Sequence, residues 1–292
     1  MVDSSLETTK LTKVPASEIL AKIKTSEPIK LDNVIIMGNL DIVELGIKFG
    51  EKFSTASTIK ITNSLIEGAI NFSNTEFKND DDEEVDFSKT TFGNKVNFSM
   101  AQFQQGVNFQ EAHFTHEVNF KGAKLFSATF VDARLDGYGN FKETEFYEFT
   151  AFDAMQFNNY ANFVKSSFTP VASFHWAVFN DNANFSGAKF CERANFASAR
   201  FYIDANFANA NFDRTINLKD AMFTRMDISW ESIKNSLEYN DAVYLGLAKN
   251  YNNIGLFSDA DSCYYQYRTL RRKNHLNGFE YLLDLIAWIP YG

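Results

Sequence analysis

Only two cysteines, Cys191 and Cys263, occur among 292 residues. Two thiols are too few for a disulfide framework or a four-ligand zinc site, and they point to a reducing compartment. No run of apolar residues reaches the ~18 needed to cross a bilayer as a helix. The N-terminal stretch MVDSSLETTKLTKVPASEILAKIK lacks the apolar segment of a secretory signal. Positive charge is also scarce: 28 Lys and Arg stand against 37 Asp and Glu, a net charge of −9. A general nucleic-acid binder should be basic, so that class is disfavoured. The chain has no phosphate-binding loop, no GxSxG or HExxH motif and no dinucleotide fingerprint. It is therefore read as a non-enzyme that needs no cofactor. Histidine is equally sparse. Of four His, only His113 and His116 are close in sequence. With Glu111 and Glu117 they could make a surface metal site, but solvated surface is the favoured reading. The acidic run NDDDEEVD (79–86) lacks the Gly and the spacing of an EF-hand loop.

What the chain has in excess is phenylalanine: 31 Phe, against 4 Pro and 3 Trp. The Phe residues recur in units of eleven, such as VNFSMAQFQQG (96–106), ANFSGAKFCER (183–193) and ANFASARFYID (194–204). Two Phe anchors fall in each unit, spaced five and then six, from Phe72 to Phe223. A long helix is excluded because this spacing makes no helical stripe and the intervening Asn, Gly and Ser are poor helix formers. An antiparallel barrel would need longer alternating strands and regular hairpin signals, which are absent. Ala two residues before Phe fits very short strands, since residues i and i−2 share a face. Ala and Phe then point inward, and the Asn between them points out.

These A-N-F-x-x units, over roughly residues 60–226, resemble the pentapeptide-repeat proteins in a Phe-centred variant with a sixth residue in alternate units. The resemblance implies an all-β solenoid, a right-handed quadrilateral β-helix, here with a C-terminal α-helical appendage. Four faces per coil make a coil of two elevens. Phe163, Phe185 and Phe207 should stack, as should Phe174, Phe196 and Leu218, while Asn162, Asn184 and Asn206 form an outward ladder. KLFSATFVDARL (124–135) should make one coil a residue short. Asp82 falls on a Phe position, so residues 79–86 should loop out of the wall, because a buried unpaired carboxylate is costly. The sixth residue is expected as a bulge at alternate corners.

The chain divides into an N-terminal tail with a short capping helix (1–30), the β-helix (31–226) and a C-terminal helical hairpin with an apolar terminal helix (227–292). Arg268, Arg271, Arg272 and Lys273 precede the apolar GFEYLLDLIAWIPYG (278–292), which contains Trp288. Basic residues beside an apolar helix are what a cytoplasmic membrane junction looks like. Three functions are consistent with these features. The first is a non-enzymatic scaffold, a rigid rod for an unidentified protein partner. The second is a cytoplasmic module at the inner face of a membrane, tethered through residues 276–292 to the lipid surface or to an ion-channel-like membrane domain. The third, drawn from the resemblance, is a DNA mimic that binds a type II topoisomerase. Charge disfavours the third. Nine coils would span about 43 Å at the strand spacing, where duplex DNA carries roughly 25 negative charges. A homodimer is the commonest symmetric arrangement for such a chain.

Overall fold

The structure is a computed structural model that describes residues 11–48, 50–78 and 82–275. Its wall is built from two-residue strands, all parallel, each paired with the strand one coil below and one coil above. Ala161–Asn162 pairs with Ala183–Asn184, and Lys189–Phe190 with Asn211–Phe212, all 22 residues apart in register. Four strand columns result, making a solenoid of about ten turns. In each column the Ala and the Phe are buried and the intervening residue faces outward.

The core is a set of ring stacks. Phe163, Phe185 and Phe207 lie parallel at centroid distances of 4.7 and 4.8 Å. Phe174 and Phe196 stack at 4.8 Å, and buried Leu218 ends that column. This spacing equals the distance between stacked strands, so the ladder itself sets each ring on the next. Across the corners the rings meet edge to face, as for Phe174 and Phe185 at 5.4 Å and 89°. Both geometries suit aromatic quadrupoles.

Two kinds of corner alternate. At one, the carbonyl of Phe174 accepts the Ala177 N–H at 3.0 Å, and Trp176 between them has φ 59°. This is a tight turn whose third residue is left-handed. The same conformation recurs at Ala154, Lys165, Ser198 and Asn209, and glycine fills it only at Gly122 and Gly187 in the regular wall. The other corner, such as Asn180–Asn182, needs no positive φ, though Gly106 adopts one at the equivalent place, and it is wider. It holds the sixth residue. The residue is thus absorbed at alternate corners as expected, but as a wider turn and not as a bulge, because the strands on either side stay in register. Among the described residues, a register shift within a strand pair occurs between Phe201 and Asp204.

Departures from the repeat fall where the sequence broke it. Asn140 bonds Asn119 across 21 residues. The missing residue lies at the wide corner Phe126–Ser127, where Leu125 is followed after two residues by Ala128. In the same short coil Gly139 takes an Ala position, where a Cβ would sit 2.7 Å from Leu135 Cδ2. Asn97 pairs with Asn71 across 26 residues. Of the acidic run expected to loop out, residues 82–84 lie between strands with Asp82 exposed, and residues 79–81 lie outside the described residues. Val85–Asp86 instead pair in the wall with Val107–Asn108, burying Val85. The first full coil is longer still, with Asn71 bonded to Asp41 across 30 residues. Its extra length forms a short 3-10 turn at Ile42–Leu45 and the loop after it.

Both ends are covered. Strand Thr12–Pro15 pairs with Val34–Met37, so wall pairing begins before residue 31, where the repeat pattern places its start. Helix α1 (Ala16–Thr25) then lies over the end, burying Ile19, Leu20 and Ile23. Its last carbonyls accept from Thr55 Oγ1 and Ser57 Oγ. At the other end come α2 (Trp230–Ile233), α3 (Asp241–Asn253) and α4 (Phe257–His275). Asn250, buried in α3, does the work of a strand there. Its Oδ1 accepts the Met226 N–H at 3.0 Å, and its Nδ2 donates to the Met226 carbonyl at 2.8 Å.

Two stability outcomes are expected. Phe185→Ala should destabilise the chain by about 3–5 kcal/mol, since it opens a cavity between two stacked rings. Urea unfolding measures this, and a loss below about 1 kcal/mol would contradict the stack's role. Asn250→Ala should cost about 2–4 kcal/mol by stranding both polar groups of Met226. Asn250→Leu, similar in volume, should not rescue it.

Candidate interaction surface

The outward asparagines look available in sequence but are largely committed to the wall. Oδ1 of Asn97, Asn119, Asn140 and Asn162 each accepts the backbone N–H two residues on, closing the local turn. Their amide nitrogens reach down one coil, Asn119 to Asn97 at 3.3 Å and Asn140 to Asn119 at 3.0 Å. Higher up, Asn162 and Asn184 donate to the hydroxyls of Tyr138 and Tyr160, whose rings stack at 5.6 Å. The ladder containing Asn162, Asn184 and Asn206 is in register, as the repeat requires.

Charges on the wall are mixed rather than sorted. One outward column reads His113, Arg134, Gln156, Val178, Arg200; another reads Glu76, Gln102, Lys124, Glu145, Ser167, Lys189. Acids do not concentrate on either. The densest polar cluster surrounds Asp136, which accepts from His113 Nε2, Arg134 Nε and Asn158 Nδ2, each at 2.7 Å. Partial burial alone would raise its carboxyl. The three hydrogen bonds and the Arg134 charge outweigh that and bring it down to about 2.

One corner carries an apolar ridge that the repeat register did not flag. Phe126 and Tyr147 stack at 5.0 Å beside Phe149, which is 55% exposed. Pro170 and Val171 continue the same corner one coil on. The inward anchors around them are Leu125, Phe130, Phe146 and Phe152. Phe126 and Phe149 fall between these anchors, and that was the available signal: in this wall an aromatic residue out of register has to face solvent. Exposed aromatics grouped on a rigid frame are the usual anchors of protein contacts.

A groove of about 400 Å³ lies at the C-terminal end, between Leu218–Thr224 of the last coil and α3. Among the described residues no group of His, Cys, Asp and Glu is placed to hold a metal ion. His116 instead meets Thr115, and His113 meets Asp136. Cys263 is buried, and burial with Asp259 pushes its thiol up to about 12; Cys191 is half-buried and shifted the same way by burial and Asp213. Neither thiol is activated. Of the four basic residues on α4, Arg272 is only 9% exposed, Arg268 lies over the Tyr264 ring, Arg271 is half-buried and Lys273 is exposed. Residues 276–292, with Trp288, lie outside the described residues. No described helix is long and apolar enough to cross a membrane.

Residues 82–124 and 177–222 match the family profile described as Pentapeptide repeats (9 copies). The strand ladder carries the same register through the stretch between them. A search of curated proteins finds no match. Among solved structures, a trypsin-treated form of QnrB1, a plasmid-mediated fluoroquinolone resistance protein, is 15% identical. The match covers 77% of this chain and 97% of that one, at a TM-score of 0.28.

The Asp136 cluster has a measurable pH signature. Its carboxyl is lowered from an ordinary 3.8 to about 2. A lowered carboxyl stabilises the fold at pH values above the unfolded value, and that contribution is lost as pH falls through the folded one. Urea stability of the native chain should therefore decline between pH 4 and pH 2 more steeply than that of Asp136→Asn. Parallel curves would show that the cluster does not hold the proton off.

Proposed function

We propose that this pentapeptide-repeat solenoid is a non-enzymatic interaction scaffold, a stiff rod that holds contact residues at fixed spacing for a protein partner. The observation that supports this most directly is the Phe126, Tyr147 and Phe149 ridge. These rings are large, partly exposed and set at a corner whose flanking two-residue strands are paired in the ladder. Little conformational entropy remains to be lost when a partner covers them. The rest of the wall is a poorer anchor, because its outward amides already bond one another or the turns.

The DNA-mimic reading has less support. Such a surface needs dense acid on one side, whereas the outward columns interleave Lys and Arg with Asp, Glu and uncharged residues. A tether at the inner face of a membrane rests on residues 276–292 and on the basic turn before them. Arg272 is too buried to meet a lipid headgroup, which leaves Lys273 as the most exposed of the four. A cytoplasmic setting belongs to this proposal, on the strength of two unpaired thiols and a net charge of −9.

The test is comparative capture. Wild-type chain and a Phe126→Ser/Phe149→Ser variant, matched for thermal unfolding, are cross-linked in cells of the native host. The scaffold reading expects one or more proteins to be captured by the wild type and lost by at least about tenfold with the variant, the usual scale for two aromatic anchors. Equal capture by both chains would remove the ridge as the contact surface.

A further inference from the structure

Among the described residues, the helical cap bonds to three of the strand columns, to the Phe212 column through a single serine, and makes no bond to the fourth. Ile216 N–H donates to the Ser236 carbonyl at 2.9 Å, and the Ile216 carbonyl accepts from Glu238 N–H at 3.0 Å. Ser236 Oγ donates to the Phe212 carbonyl at 2.8 Å, and Asn250 holds both groups of Met226. The fourth column ends in the strand Met222–Asp227, at Met222 and Phe223. One coil below, the equivalent carbonyls are used: Ala199 O accepts Met222 N–H at 2.9 Å, and Ala177 O accepts Arg200 N–H at 2.9 Å. Among the described residues, the carbonyls of Ala221 and Phe223 have no such donor.

The groove lies over this edge. Ala221, Met222 and Phe223 form one side, and Ala242, Val243, Gly246 and Lys249 of α3 form the other. A side chain added at Gly246 would meet nothing within 4 Å. Lys249 forms no ion pair among the described residues. Met222 is 62% exposed, and Tyr202 and Ile203 on the adjoining strand are exposed beside it.

We propose that this edge accepts an extended peptide segment of a protein partner as one more strand, with an acidic group of that segment against Lys249. This deepens the scaffold reading and depends on it. Two acceptors on alternate residues of one strand edge are about 6.6 Å apart. Alternate N–H groups of an extended backbone match that spacing; a helix, whose N–H groups are used internally, does not. The groove between strand and helix then takes every second side chain. A second copy of this chain stacked end to end fits poorly. Its outermost strand, Thr12–Pro15, would place Lys13 over Met222 and Pro15 over Thr224. Pro15 has no N–H to give Phe223.

The experiment selects phage-displayed random short peptides on the full chain. The best binder is then resynthesised twice, with N-methyl groups on one alternate set of residues or on the other. Binding is measured to wild type, Gly246→Trp and Lys249→Glu by fluorescence anisotropy, with thermal unfolding as the control for folding. The proposal expects losses of about tenfold or more on Gly246→Trp and with one methylated set only, as two lost hydrogen bonds would give. It also expects a preference for acidic peptides that reverses on Lys249→Glu. It is overturned if no peptide is selected, if both methylated sets bind alike, or if Gly246→Trp binds as wild type does. Should Gly246→Trp unfold, Lys249→Glu and the methylated pair decide alone. Partner capture that depends on Phe126 and Phe149, with no peptide selected, would leave the rod reading standing and remove this one.

Discussion

The structure depends on one coincidence of lengths. Parallel strands stack about 4.8 Å apart, close to the 4.7–4.8 Å at which the inward rings of Phe141, Phe163, Phe185 and Phe207 lie on one another. Backbone hydrogen bonding and side-chain burial are therefore satisfied by the same translation. Neither has to strain for the other. With two-residue strands there is little hydrogen bonding per strand, so the rings supply most of the cohesion between coils. The left-handed turn residues are tolerated for that reason. Asp132, Glu143, Ala154 and Trp176 all sit at φ between 54° and 59°. A non-glycine residue there costs on the order of 1 kcal/mol, and the buried ring next to each turn outweighs it.

Most of this was legible in the residues. The spacing of Phe163, Phe174 and Phe185 gave the coil length, the partners of each ring and the outward direction of the Asn residues. The short coil at KLFSATFVDARL followed from counting; the excursion placed over residues 79–86 reaches too far, since Val85 and Asp86 return to the ladder. What the spacing could not give was the corner geometry, because the left-handed positions hold Lys, Glu, Ala, Ser and Trp as readily as Gly. A reader looking for glycine would miss them. The candidate surface was less legible. Phe126 and Phe149 look like two more members of a Phe-rich repeat until the register is laid out coil by coil. The strand-like role of Asn250 was invisible, since nothing local marks an amide on a helix as the partner of a peptide group 24 residues earlier.

The ends show how a solenoid stops. A repeating wall leaves unpaired donors and acceptors at both rims, and each rim invites another copy. At the first strand, Pro15 removes one donor, and α1 lays Ile19, Leu20 and Ile23 over the apolar interior. At the last, a helix supplies an amide where a strand would have supplied a peptide, a single β-bridge at Leu237 meets a second column, and a serine meets one carbonyl of a third. The chain uses local and inexpensive devices there, and it uses different ones at the two rims.

The coils of irregular length carry a consequence for how such a chain can change. The extra residues 82–84 before Val85, and those from Ile42 to Lys48 after Asp41, lie between strands and not in the ladder, because the strands on either side still meet their neighbours in register. A whole coil added or removed would instead shift every later residue along the axis by one strand spacing and keep its compass bearing. Length can thus be tuned in two currencies, one that alters reach and one that decorates the outside, and neither disturbs the stacked interior.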